Sequence, residues 1–191
     1  MPRLTSALVA VALALFTGAA RADLLTFAGT MSGSEEVPPS ASPATGSALL
    51  TLDTSGDVLT VDVTWSGLIG GPAAAAHIHC CTLPGTSVNV AIAFPGFPAA
   101  QSGTYQHVFD LTVPNIYTSS FLTNFGGGTA AGAEAALVAG LEAGQAYVNI
   151  HNATFPGGEI RSFVSAVVPE PGTLALVALA TAAVPLVRRR R

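Results

Sequence analysis

Lysine is absent from this chain of 191 residues, and all seven of its basic residues are arginines. Six of these arginines lie near the two ends, so the stretch 23–168 holds a single base, Arg161, against ten acidic residues. One positive charge against ten negative ones leaves this stretch at a net charge of −9. A surface of that sign repels phosphate backbones, which excludes nucleic acid as a partner. Solubility is the simplest use of such a surface, and attraction of cations is the alternative.

Long hydrophobic runs are also missing, since neither end reaches the ~20 apolar residues that a membrane-spanning helix needs. At the N-terminus, Arg3 precedes an apolar run over residues 4–16 and a small-residue cleavage pattern that ends at Ala22. This order of charge, apolar run and small residues is typical of a secretory signal peptide. We therefore expect residues 1–22 to be a signal helix that signal peptidase removes, with Asp23 as the first residue of the exported protein.

The C-terminal region combines three features in a fixed order. Residues 168–172 form a rigid, proline-rich stretch, fifteen uncharged residues follow at 173–187, and four arginines occupy positions 188–191. As a helix, the uncharged run is only about 22 Å long, which is short of the ~30 Å hydrocarbon core. It therefore predicts a weak C-terminal transmembrane helix, with the arginines on the cytoplasmic side.

This tail resembles the PEP-CTERM sorting signal, with Pro169, Glu170 and Pro171 as the motif, followed by the apolar run and the arginine cluster. The resemblance covers residues 169–191 and implies processing near the motif by an exosortase, a membrane transpeptidase-like enzyme. It also implies transient anchoring in the inner membrane of a Gram-negative source that makes an exopolysaccharide matrix. We expect an exported protein that is membrane-anchored before processing and lies at the cell surface or outside the cell afterwards.

The middle stretch, 23–168, is expected to form one all-β domain, because short runs rich in Thr and Val alternate between apolar and polar residues. Strands are predicted at 24–31, 48–52, 58–65, 75–80, 88–94, 105–113, 145–153 and 160–167, and a helix at 129–142. No internal repeat and no phosphate-binding glycine pattern interrupts them. These elements predict an antiparallel immunoglobulin-like or superoxide-dismutase-like sandwich, or a flattened barrel, with one short helix.

Histidines are the main reactive residues of this domain. His77 and His79 are two apart in one predicted strand and share a face, and His151 lies in another strand that could be a neighbour. Three histidines suffice to bind zinc or copper, with Glu159 or Cys80 as a further ligand. The alternative is that these histidines hydrogen-bond nearby loops and hold the sheet edge in place. His107 lies in a different strand and is expected at the solvated surface.

Cysteine is scarce, and the only two, Cys80 and Cys81, are adjacent. Export to an oxidising compartment favours disulfides, but neighbouring cysteines can bond only in a strained ring. Two free thiols, an intermolecular bridge and soft metal ligation stay open as alternatives. We favour the disulfide between neighbours, since the strand ends here, before Pro84 and Gly85, where the backbone could distort.

Four motifs together resemble the CHRD domain, first described in chordin. They span residues 34–39, 76–79, 147–151 and 156–161, and the resemblance covers nearly all of 24–165. It implies an immunoglobulin-like or related β fold and no established enzymatic activity. One departure is that the middle motif commonly continues with glycine, whereas this chain has Cys80 and Cys81. Superoxide dismutase shares only the His-x-His pattern, without an identifiable bridging histidine, so dismutase activity is not expected.

Arg161 is expected to be structural, pairing with Glu159 or clamping loop carbonyls, Glu35 or Glu36 through its five donors. Because no nucleophile and base stand together in the sequence, we expect a noncatalytic envelope or extracellular-matrix domain rather than an enzyme. A copper- or zinc-binding or redox protein that uses the three histidines is the alternative. A hydrolase has only scattered Ser, His and Asp residues in its favour.

Overall fold

The computed structural model describes residues 24–167, and the predicted signal helix and C-terminal transmembrane helix lie outside them. The strands are β1 Leu24–Ser32, β2 Thr45–Asp53, β3 Val58–Ser66, β4 Ala73–Cys80, β5 Val90–Ala93, β6 Gly103–Asp110, β7 Ala146–Asn152, β8 Ile160–Phe163 and β9 Ser165–Ala166. The α-helices are α1 Ser119–Asn124 and α2 Ala130–Glu142. Within 24–167, no helix combines the length and the apolar character needed to cross a bilayer.

The strands form one antiparallel sheet in the order β5-β4-β7-β8-β1-β2-β3-β6, and β9 adds to β1. The sheet curls round a single core, because Phe94, which follows β5, meets β6 at the other end of the strand order. Its ring centre lies 5.2 Å from that of Tyr105 and 6.1 Å from that of Phe109. This all-β architecture agrees with the predicted sandwich or flattened barrel.

Alternation along the strands decides which side chains enter the core. In β3, Leu59, Val61, Val63 and Trp65 are buried while the residues between them are exposed or half-buried. This is the period of two that a half-buried antiparallel strand requires. The predicted strand over 58–65 is confirmed, and its two neighbours in the sheet, β2 and β6, were predicted as strands as well.

Helix α2 closes the end of the barrel near Leu24 and follows the predicted helix closely. Thr129 caps its N-terminus by accepting a hydrogen bond from the Gly132 N–H at 3.1 Å. Its buried face is formed by Ala133, Leu137, Gly140 and Leu141. The shorter helix α1, capped by Thr118, was not predicted, so the expectation of a single helix was incomplete.

The predicted strand over 160–167 is two strands in the structure. β8 pairs with β7, whereas β9 pairs with β1 at the register Phe27 opposite Ala166. Between them, the side chain of Val164 is buried and its N–H donates to the Ala146 carbonyl at 3.0 Å. The chain thus changes partner at Val164, which a continuous apolar run does not reveal.

Candidate functional site

The face of the sheet formed by β4, β7 and β8 brings the predicted site residues together. Strands β4 and β7 pair antiparallel, with His79 opposite Tyr147 and Ala75 opposite His151. His77 lies between these two rows on β4, and because side chains two apart point to the same face, all three imidazoles project on one side. The sequence predicts that the three histidines meet only if these two strands are neighbours, and in the structure they are.

The three imidazoles form a compact cluster. One nitrogen from each of His77, His79 and His151 lies within 4.8 Å of the other two. The ring centres are 4.9 Å apart for His77 and His151, 5.7 Å for His77 and His79, and 6.1 Å for His79 and His151. In the part of the chain that the structure describes, His77 Nδ1, His79 Nε2 and His151 Nε2 are buried without a hydrogen-bond partner.

Main-chain carbonyls fix the orientation of two of these rings. His79 Nδ1 donates to the Val88 carbonyl at 2.7 Å, and His151 Nδ1 donates to the Pro156 carbonyl at 2.9 Å. Since a carbonyl only accepts, the proton must sit on Nδ1 in both rings, which leaves Nε2 with its lone pair. Metal-binding histidines are held in this way, by an acceptor on the nitrogen that faces away from the ion.

The imidazoles stay neutral at neutral pH. Burial, reinforced by the neighbouring His151 and His79, lowers the pKa of His77 to about 4. Burial also lowers the pKa of His79 to about 4, although its bond to Val88 opposes the shift. The pKa of His151 is lowered as well, mainly by burial. Neutral imidazole is the form that binds metal ions, so the cluster offers three available lone pairs.

Glu159 does not join the histidines. Its carboxylate is fully buried and accepts hydrogen bonds from Ser42 Oγ at 2.6 Å, from the N–H of Ile69 at 2.7 Å, from the N–H of Gly70 at 3.2 Å and from Asn152 Nδ2. The structure therefore places the predicted further ligand in a clamp that ties two loops to the end of β7. Nor does Glu159 pair with Arg161, whose ionic partner is Glu36.

Cys80 and Cys81 form a disulfide between adjacent residues. Cys80 is buried on the core side of β4, opposite the face that carries His77 and His79, and it packs against Gly140 of α2. Its sulfur is therefore not available as a ligand for the histidine cluster. Gly140 has no side chain, which leaves room beside α2 for the two cysteine sulfurs.

Arg161 holds together the loops that cover the site. Its side chain is 1% exposed, its Nε donates to the Glu35 carbonyl, its Nη1 donates to Ser87 Oγ at 3.2 Å, and Nε lies 3.9 Å from a carboxylate oxygen of Glu36. The guanidinium carbon lies 4.7 Å from the centre of the Tyr147 ring. These contacts match the predicted clamp on a loop carbonyl and Glu36, and they do not include the carboxylate of Glu35.

Glu36 is a buried acid beside this arginine. Burial raises its pKa from 4.5 to about 7, although the positive charge of Arg161 acts in the opposite direction. The Glu36 Oε1 atom accepts a hydrogen bond from Asn149 Nδ2 at 2.8 Å. Asn149 is paired with both His77 and Arg161 across the sheet, so Glu36 and the histidine cluster belong to one polar face.

Other features of the site have no clear sequence signal. The carbonyls of Val88 and Pro156 orient the histidines, but any residue could supply a carbonyl.

His107 was expected at the solvated surface, yet it lies half-buried in β6 with its ring centre 4.5 Å from that of Phe109. It takes no part in the cluster.

Comparisons with known proteins give two matches to family models. The CHRD domain model matches residues 27–164, and the PEP-CTERM protein-sorting motif matches residues 167–191. No curated protein and no solved structure matches the chain. The sorting motif implies export, anchoring of the C-terminus in a membrane and processing by an exosortase-type system. Because the first match covers most of the sequence, this chain belongs to the CHRD domain family and carries a C-terminal PEP-CTERM sorting motif.

Proposed function

We propose that this protein acts outside the cytoplasm as a noncatalytic envelope or extracellular-matrix domain that binds one copper or zinc ion. Signal peptidase and an exosortase-type enzyme process its two ends, and the CHRD domain is then displayed at the cell surface or released into the exopolysaccharide matrix. The sorting motif supports the route, and the histidine cluster supports the molecular role.

The observation that carries the metal-binding role is the set of three buried ring nitrogens without a partner. Leaving a buried polar group unpaired costs roughly 1–3 kcal/mol, so three such nitrogens in one cluster would be costly if the cluster were purely structural. An ion bound by these nitrogens removes that cost. Zinc and copper both bind imidazole, and three histidines suffice to hold either ion.

The hydrogen bonds of the histidines support the role of metal ligand over that of a base that activates a side-chain nucleophile. His79 and His151 each donate to a main-chain carbonyl, which orients a metal ligand. Covalent catalysis would instead need a hydroxyl or thiol nucleophile within hydrogen-bond reach of an imidazole.

Elemental analysis after exposure to copper and to zinc tests the proposal. We expect about one bound ion per chain in the parent protein and less than about a tenth of that in His77→Ala and His151→Ala, since each removes one of three ligands. His107→Ala is the matched control, because it deletes a half-buried histidine from a different strand. Failure of the parent protein to retain either metal, or equal loss in the His107 variant, would contradict the proposal.

A further inference from the structure

The ligand set of the histidine cluster carries no negative charge. Among the His, Cys, Asp and Glu residues of 24–167, the group close enough to share an ion consists of His77, His79 and His151 alone. The carboxylate of Glu36, on the same polar face, contacts Asn149 and Arg161 and is not part of this group. A bound ion would therefore keep its full charge in a partly buried position.

A permanent positive charge lies behind one ligand. His79 stacks on the ring of Tyr147 at a centre-to-centre distance of 4.5 Å and an interplanar angle of 3°. Arg161, on the strand beyond Tyr147, places its guanidinium carbon 4.7 Å from the same ring centre. The ring of Tyr147 thus lies between the arginine and His79, in contact with both.

Charge should consequently decide which ion the site takes. Imidazole suits zinc and copper alike, so the ligand type does not separate them. The cost of removing an ion from water rises with its charge. A second charge on the ion also doubles whatever repulsion from Arg161 the partly ionised Glu36 leaves uncompensated.

Coordination number is compatible with both ions. A zinc ion here would take a fourth ligand from solvent in addition to the three histidines. A monovalent copper ion accepts two or three ligands and needs no anion to balance its charge. From the neutral ligand set and the buried arginine behind it, we infer that this site binds copper in its monovalent state in preference to zinc. The inference rests on the proposed metal-binding function and specifies its ion.

Competition titrations on the full chain test this selectivity. Cu(I) is supplied with ascorbate under anaerobic conditions against the chelator bicinchoninate, and Zn(II) against a chromophoric zinc chelator. We expect Cu(I) to bind at least about a hundredfold more tightly than Zn(II). Zinc affinity equal to or above that of Cu(I) would overturn the selectivity and leave the metal-binding function standing. Binding of neither ion would overturn the metal-binding function itself.

A charge-tuning pair tests the physical basis. Ala75 is half-buried on the same face, opposite His151 and two residues before His77, so Ala75→Asp adds a carboxylate beside the cluster and Ala75→Asn adds a neutral group of the same shape. The Asp variant should shift the Zn(II)-to-Cu(I) affinity ratio towards zinc by at least about tenfold relative to the Asn variant. The same ratio in both variants would contradict an electrostatic origin.

Discussion

Arg161 is the only base in the CHRD domain, and its contacts explain why an arginine is needed there. It joins the loop that carries Glu35 and Glu36, the loop that carries Ser87 and the aromatic ring of Tyr147. Only a long side chain with several fixed donors can reach all of these partners from one strand position. Removing it leaves the Glu35 carbonyl and the Ser87 hydroxyl without this donor, and it leaves the buried Glu36 without its counter-charge.

We predict that Arg161→Ala lowers the free energy of unfolding by about 3 kcal/mol, because breaking a buried pair leaves the remaining partner uncompensated. In a domain of this size, that corresponds to a melting temperature lower by roughly 10 °C. Glu35→Ala is the matched control, since Arg161 uses the main-chain carbonyl of Glu35 and the carboxylate is exposed. Thermal denaturation of both variants measures the effect. A melting temperature of the Arg161 variant equal to that of the parent would falsify the clamp.

Glu36 predicts a pH dependence of stability with a definite sign. Its folded pKa, about 7, lies above the unfolded value of 4.5, so the folded state holds this proton more tightly. The stabilisation is complete below pH 4.5 and is lost as the pH rises through about 7. Glu36→Gln, which stays neutral at all pH values, should remove this loss, making the variant more stable relative to the parent at pH 8 than at pH 5 by on the order of 2 kcal/mol.

The measurement is urea denaturation of both proteins at pH 5 and pH 8, compared as a difference between variant and parent. The difference matters because the lowered pKa values of His77, His79 and His151 give the opposite slope, with stability lost as the pH falls below 6.5. These histidines are present in both proteins and cancel. A difference that does not change with pH would contradict a buried, proton-binding Glu36.

The candidate site could be predicted from the sequence at the level of single residues only in part. His77 and His79 share a face because strand side chains alternate, and that rule needs no three-dimensional information. Glu159 follows Gly158, whose φ of 129° lies in a region that side-chain-bearing residues rarely adopt. The backbone there departs from the regular strand, so alternation could not show that Glu159 turns towards Asn152.

At the scale of the elements, the contact between α2 and β4 depends on Gly140. A Cβ atom built on this glycine would lie 2.7 Å from Cys81 Sγ and closer still to Cys80 Sγ. Alanine normally stabilises a helix relative to glycine by about 1 kcal/mol. Here the sulfurs are tied to each other and to the end of β4, so they cannot move aside as the end of a flexible side chain would.

We therefore predict that Gly140→Ala destabilises the domain by about 1–3 kcal/mol, the cost of overpacking a close contact, despite its gain in helix propensity. Gly157→Ala is the control, because nothing lies within 4 Å of a Cβ at that position and its φ is not positive. Thermal melts of both variants measure the effect. If Gly140→Ala proved as stable as the parent, helix and disulfide would not be in the tight contact described above.

Elements with a clear period were predictable, and those set by tertiary partners were not. Strands β1 and β3 and helix α2 follow their predicted ranges closely because alternation and capping residues are local. The six-residue helix α1 buries only Phe121, which leaves too short a pattern to recognise. The division of β8 from β9 arises from a change of partner strand, and no local sequence pattern encodes a partner.

At the scale of the whole molecule, the sheet order creates the site. Strands β4 and β7 are separated by two other strands and both α-helices in the chain, yet they are neighbours in the sheet. Pairings of this kind are fixed by the packing of the complete core, so the sequence could state only that three histidines would meet if the strands were adjacent. The observed pairing of β4 with β7 shows that the strands are adjacent and that the three histidines meet.

The same order separates the histidine cluster from the ends of the domain. The Val167 N–H donates to the Thr26 carbonyl at 2.7 Å, so the chain enters and leaves the sheet at the same end. His77 lies in the row of Arg161 and Ser32, eight residues along β1 from Leu24. At ~3.3 Å per residue, the cluster is about 25 Å from that end, measured along the strands.

Sorting and metal binding should therefore be separable by mutation. We predict that Glu170→Ala, in the motif matched as PEP-CTERM, prevents C-terminal processing, so that the exported chain keeps its tail and stays in the membrane fraction. Metal content should stay within about a tenth of an equivalent of the parent, and the melting temperature within about 1 °C, because the core and the cluster are built from residues 24–167.

Intact-mass measurement on fractionated cells detects the retained tail, and Glu142→Ala is the control, an exposed acidic residue at the same end of the folded domain. Normal processing of the Glu170 variant would show that the motif is not what the processing enzyme reads. A loss of metal in the same variant would show that the tail and the cluster are coupled, contrary to their separation along the sheet.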